Sequence, residues 1–77
     1  MENAIQALLE YGYVKEGESY VWYMGVYPKH EKWTPVDDGF LRHDRYDGYW
    51  KPIPLNSETF IWPAQSVKDI YTYGKLG

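Results

Sequence analysis

Along this chain the apolar positions change their period, and each change marks an element. Over residues 3–11 they recur as on a helix: Ile5, Leu8 and Leu9, with Ala4 and Tyr11, share one arc, and Glu2, Asn3, Gln6 and Glu10 share the other. The pattern predicts a helix from Asn3 to Tyr11, capped by Asn3, favoured at its positive end by Glu2 and stopped by Gly12. So short a helix does not persist alone in water, so its apolar arc must pack on the rest of the chain.

From Tyr13 onward the pattern becomes that of strands. Glu16-Gly17-Glu18 reads as a tight hairpin between Tyr13–Lys15 and a run beginning at Ser19. Tyr20 to Tyr27 is apolar on both alternating faces, as in a central strand, and Pro28 ends it. Asp37-Asp38-Gly39 and Asp47-Gly48 then separate the β-type stretches Lys32–Val36, Phe40–Tyr46 and Tyr49–Ile53. Pro35 and Pro52 fall inside two of these and demote both to edge strands or extended segments. Thr59–Trp62 is a further β-type run, stopped by Pro63. Over 66–73 two readings stay open. One is a helix with Ser66 and Asp69 as a capping box and Val67, Ile70 and Tyr71 on one face; the other is a strand over Ile70–Tyr73. The expectation is an α+β fold in one domain over residues 1–77. A short N-terminal amphipathic helix packs on a small, mostly antiparallel sheet of four to six strands, with a short C-terminal helix as one reading of the tail.

Composition says how so small a chain fills a core. With 77 residues and no cysteine, neither disulfides nor thiolate-bound zinc can supplement burial. Four Trp, nine Tyr and two Phe supply the bulk instead, each burying roughly 150–250 Å². Tyrosine outnumbers phenylalanine, so several rings are expected at the core boundary with the hydroxyl paired or wet. The charge of −3 resides in the first 20 residues, where Glu2, Glu10, Glu16 and Glu18 face Lys15; beyond them, seven acids balance seven bases. There is no apolar run of membrane-spanning length and no basic, apolar leader, so no membrane partner and a cytoplasmic location are expected.

The chemistry-bearing residues are sparse. None of Ser19, Ser57 and Ser66 lies in a nucleophile elbow, and the seven glycines lack phosphate-loop spacing. His43 and Asp44 would point to opposite faces of a strand, so the adjacent pair does not chelate a metal. The expectation is therefore no enzyme, no metal and no cofactor.

The richest segment runs from Arg42 to Lys51, where Arg42, His43, Arg45, Tyr46, Tyr49, Trp50 and Lys51 gather the residue types that carry interface energy. With Trp33 these are the expected partner-binding residues. The reading is a small interaction protein, an inhibitor or adaptor of the kind phages and mobile elements encode, docking on a protein. Two rivals stand beside it. One is a single-stranded nucleic-acid binder using the interleaved bases and rings of Lys29–Trp33 and Arg42–Tyr46, weakened by Glu31, Asp44 and Asp47 in the same stretches. The other is a small metal-dependent enzyme built on His30 or His43. Self-association through the aromatic face, giving a homodimer, is a further expectation.

Overall fold

A computed structural model describes residues 2–23, 30–55 and 60–76, with side chains to Tyr73. Two helices, α1 (Glu2–Tyr11) and α2 (Ala64–Leu76), bracket strands β1 (Val14–Glu16), β2 (Ser19–Trp22), β3 (Glu31–Val36), β4 (Gly39–Tyr46), β5 (Tyr49–Pro52) and β6 (Trp62–Pro63). The strands form one antiparallel sheet in the order β1-β2-β3-β4-β5, and β6 pairs with the start of β4. The expected α+β fold is the observed one.

Helix α1 starts at Glu2, so Asn3 lies inside its first turn and is not the cap. Ala4 and Leu8 are buried and Ile5 and Tyr11 pack against them, but Leu9 is turned to solvent. Gly12 ends the helix at φ 126°, its N–H bonding the Leu8 carbonyl at 3.2 Å. A Cβ there would also sit 2.8 Å from the Trp22 ring, so backbone and space both demand glycine.

Two-residue turns set the register of the sheet. Gly17-Glu18 joins β1 to β2, Asp37-Asp38 joins β3 to β4, and Asp47-Gly48, both at positive φ, joins β4 to β5. The last is the type I′ geometry that Asp-Gly favours. Pro52 lies on edge strand β5, as expected, but Pro35 lies in β3, between β2 and β4. The reason is local. The turn makes Val36–Gly39 the hydrogen-bonded pair, so at the next pair, Pro35–Phe40, the proline nitrogen faces away from β4. On that side β2 pairs no further than Trp33, and no ladder bond is lost.

The run from Tyr20 is central, and Tyr20 and Val21 are buried on opposite faces of β2. Its continuation to Tyr27, and Pro28, lie outside the described residues, as does Thr59. Phe60 and Ile61 are not in a strand; pairing begins at Trp62 and includes Pro63, opposite Gly39. The tail resolves as a helix that starts directly after Pro63, which leaves Ser66 inside it and not at its cap. Asp69 accepts a bond from Gln65 Nε2 at 2.8 Å. Val67 and Tyr71 are buried and Ile70 is exposed.

Both helices lie on one face of the sheet. Their Ala4, Leu8, Val67 and Tyr71 meet Tyr13, Tyr20, Trp33 and Phe40 in a single cluster. Trp33 is fully buried and takes edge contacts from Phe40 at 6.1 Å and from Trp62 and Tyr71 at 5.9 Å. Each such pair contributes about 0.5–1.5 kcal/mol beyond burial, and burying Leu8, Phe40 or Val67 about 1.5–3 kcal/mol. Few, large rings thus do the work that disulfides do in other small domains.

Candidate functional site

Strand alternation divides the 42–51 segment between the two faces of the sheet. Arg42, Asp44, Tyr46, Tyr49 and Lys51 lie on the helix side. His43, Arg45 and Trp50 lie on the opposite, open side. Two expected binding residues are therefore structural. Trp33 has no exposed surface, so it offers a partner nothing to touch. Arg42 is held in place, its Nε 3.2 Å from Asp44 Oδ1 and its Nη2 3.3 Å from Asp44 Oδ2, with its guanidinium 5.3 Å from the Trp33 ring.

Around Arg42 is a polar cluster that the sequence reading missed. Tyr13 and Tyr71 each place a hydroxyl 2.9 Å from Glu31 Oε1, and the two hydroxyls also touch each other; with one proton apiece, they share two hydrogen bonds among these three contacts. Trp33 Nε1 donates to the same oxygen at 3.3 Å, and Arg42 Nη2 lies 3.9 Å from it. Burial and the field of Glu31 push both hydroxyls far above the ordinary tyrosine range; the field of Tyr13 raises Tyr71 further, whereas the contact with Tyr71 draws Tyr13 part of the way back. Burial alone would lower the Arg42 guanidinium, but its bonds to Asp44 and the field of Glu31 outweigh this and raise it. The cluster joins α2, β3, β4 and Tyr13, just ahead of β1. Chemically it holds protons firmly, and its role is to fasten helix to sheet.

The open face is ordered in rows across the strands. Val21, Lys32, His43 and Pro52 are successive register partners on β2, β3, β4 and β5. One step along, Tyr23 meets the His30 ring at 5.1 Å, the Arg45 N–H donates to the His30 carbonyl at 3.0 Å, and Arg45 pairs with Trp50. Lys32 Nζ stands 4.7 Å over the Trp50 ring, with the Arg45 guanidinium 5.9 Å from it. Among the described residues no helix lies over this face. Lys32, His30, His43, Arg45 and Trp50 are half-buried, and Tyr23 is half exposed.

Face sorting changes the electrostatics of these stretches. Glu31 and Asp44, which offset the bases in the linear sequence, are on the helix side with Arg42. The charged groups that register assigns to the open face are Lys32, Arg45 and Glu16, and Glu16 accepts the Tyr23 hydroxyl. Both His30 and His43 hold a buried Nδ1 with no hydrogen-bond partner. Burial and the neighbouring Lys32 push the His43 imidazole below its ordinary value, against an opposing pull from Asp44.

Of the expected binding residues, the structure brings together His43, Arg45 and Trp50. It separates them from Tyr46, Tyr49 and Lys51, which share the other side of the hairpin tip, where Lys51 Nζ lies 5.9 Å from the Tyr46 ring. It adds Tyr23, His30 and Lys32, which only the register of β2, β3 and β4 could reveal. Among the described residues no group of three His, Asp or Glu side chains is placed to hold a metal ion. No helix among them is long and apolar enough to cross a membrane. The chain matches no family model, no curated protein and no solved structure.

Proposed function

We propose that this chain is a small interaction protein that docks on another protein through the open face of its sheet, centred on Arg45 and Trp50. The observation that supports it is the sorting of charge between faces. The helix side spends Arg42 on Glu31 and Asp44, and the open side keeps Lys32, Arg45, two imidazoles and the Trp50 ring. Trp, Tyr and Arg in a central, half-buried patch are the groups that dominate binding energy. Tyr23, half exposed beside the His30 ring, extends the patch at its rim. Such a protein acts by occupying a site and not by catalysis, which suits an inhibitor or adaptor carried by a phage or mobile element. The lack of cysteine agrees with a reducing compartment such as the cytoplasm.

Photo-crosslinking tests the reading. A benzophenone amino acid replaces Trp50 in one variant and the exposed Tyr73 of α2 in another, each expressed in the producing cell. A protein adduct formed from position 50, absent from position 73 and lost on adding Arg45→Ala, is the expected result. Equal adducts at both positions, or none at 50, would overturn it.

A second reading gains from the same sorting, because the open face juxtaposes cations with flat rings as single-strand binders do. It predicts oligonucleotide binding that weakens steeply with salt.

A further inference from the structure

We propose that Lys32, His43, His30 and Arg45 form one oxyanion-binding tetrad, and that it docks an extended acidic segment of a partner protein. The inference rests on the docking reading above and gives the partner its chemistry. Lys32 is the register partner of His43, and His30, the residue before β3, is bonded through its carbonyl to the Arg45 N–H, so the four side chains form a two-by-two block across the start of β3 and the end of β4. Cross-strand neighbours on one face have Cβ atoms about 4.5–5.5 Å apart, so the four nitrogen heads can converge on a carboxylate pair. Arg45 adds a planar fork that matches a carboxylate, and Lys32 adds a compact charge steadied against the Trp50 ring at 4.7 Å.

Tyr23 and Trp50 flank the block at the two ends of one row. Four strands at a spacing of about 4.8 Å make that row about 14 Å long. In an extended segment, residues two apart project to the same side, about 6.6 Å from each other. Two acids at i and i+2 therefore meet the tetrad, and apolar residues at i−2 and i+4, about 20 Å apart, bracket the row just beyond Tyr23 and Trp50.

Charge favours a protein segment over a nucleic acid. Among the described residues only Lys32 and Arg45 are permanent cations on the face, enough for two carboxylates, whereas a phosphate backbone is held by many such contacts. The first 20 residues, with four glutamates against Lys15, would also repel a long polyanion.

The probe is a labelled peptide, Phe-Ser-Glu-Ser-Glu-Ser-Phe, titrated against the full chain and followed by anisotropy and by amide and imidazole NMR. Saturable binding is expected, with shifts centred on Lys32, His43, Arg45 and Trp50. It should weaken at least tenfold when the peptide glutamates become glutamine, and equally in Lys32→Gln/Arg45→Gln. Arg45→Lys, which keeps the charge and loses the fork, should weaken it about threefold and guards against a double variant that does not fold.

Binding should also tighten as pH falls from 7 to 5.5, where carboxylates stay ionised and the His43 imidazole, held below its ordinary value by burial and Lys32, gains its proton. His43 is the group concerned. It faces Lys32 and His30 from β3 and Pro52 from β5, with Asp44 and Arg45 beside it in the chain, and His43→Gln should flatten the pH dependence. Tighter binding of a twelve-residue oligothymidylate overturns the proposal in favour of nucleic acid. No peptide binding, or binding unchanged in Lys32→Gln/Arg45→Gln, overturns the tetrad alone, since the crosslink from position 50 decides the docking reading independently.

Discussion

Removing the hydroxyls of Tyr13 and Tyr71, singly and together, probes the cluster that fastens α2 to the sheet. Each phenol carries one proton, and both lie 2.9 Å from Glu31 Oε1. In either single Tyr→Phe variant the remaining phenol still donates to that oxygen, so each should cost about 1 kcal/mol, the usual net worth of one hydrogen bond. The double variant leaves Glu31 Oε1 with Trp33 Nε1 at 3.3 Å and Arg42 at 3.9 Å, both longer contacts. It should then lose about 3 kcal/mol, as for bonds to a charged group, exceeding the sum of the singles by about 1 kcal/mol. That is a large share of the roughly 4–12 kcal/mol expected for 77 residues. Urea unfolding followed by tryptophan fluorescence measures all four proteins, with the slope unchanged. A double variant that costs no more than the two singles added would refute the shared-acceptor argument.

The same phenols give an alkaline signature. Their folded pKa values lie above the unfolded one near 10, so the folded state keeps protons that the unfolded chain releases. Stability from these groups is intact below about pH 10 and falls as pH rises beyond it, by up to about 1.4 kcal/mol per pH unit for each phenol. Unfolding midpoints measured from pH 9 to 11 should fall more steeply in the wild type than in Tyr13→Phe/Tyr71→Phe. Gly39→Ala should cost about 1–3 kcal/mol, because a Cβ there runs into the Trp62 carbonyl, a backbone atom of β6 that cannot swing aside. Denaturant midpoints check this. Phe40→Ala empties a fully buried site against Trp33 and should cost about 3–5 kcal/mol, enough to leave much of the chain unfolded by circular dichroism at 25 °C.

The parts of the fold legible in the sequence were those set by local chemistry. Gly12, Gly17-Glu18 and Asp47-Gly48 stop a helix and turn two hairpins by their own backbone preferences, and they do so wherever the rest of the chain lies. The misreadings came where tertiary pairing overruled local signals. Pro35 looks like an edge residue, yet it tolerates an inner strand because β2 stops short of its nitrogen. Pro63 looks like a strand stop, yet it pairs with Gly39 and hands the chain directly to α2. Leu9 belongs to the apolar arc, but the core closes over Ala4 and Leu8 and leaves it outside.

The candidate site was half legible for a different reason. Reading Arg42 to Lys51 as one patch ignores that successive residues of a strand face opposite ways. Once the register is known, Arg42 belongs with Asp44 and Glu31, and Arg45 with His30, Tyr23 and Trp50. A charge balance counted along the sequence therefore cancels groups that never share a surface. Counted by face, the acids of β3 and β4 are bound inward to Arg42, Tyr13 and Tyr71, and the bases and rings that remain outward are unopposed within β3, β4 and β5. The inner cluster thus does more than hold α2: by keeping Glu31 and Asp44 on the helix side, it leaves Lys32 and Arg45 free of them on the opposite face, which is the arrangement the proposed docking of an acidic segment rests on.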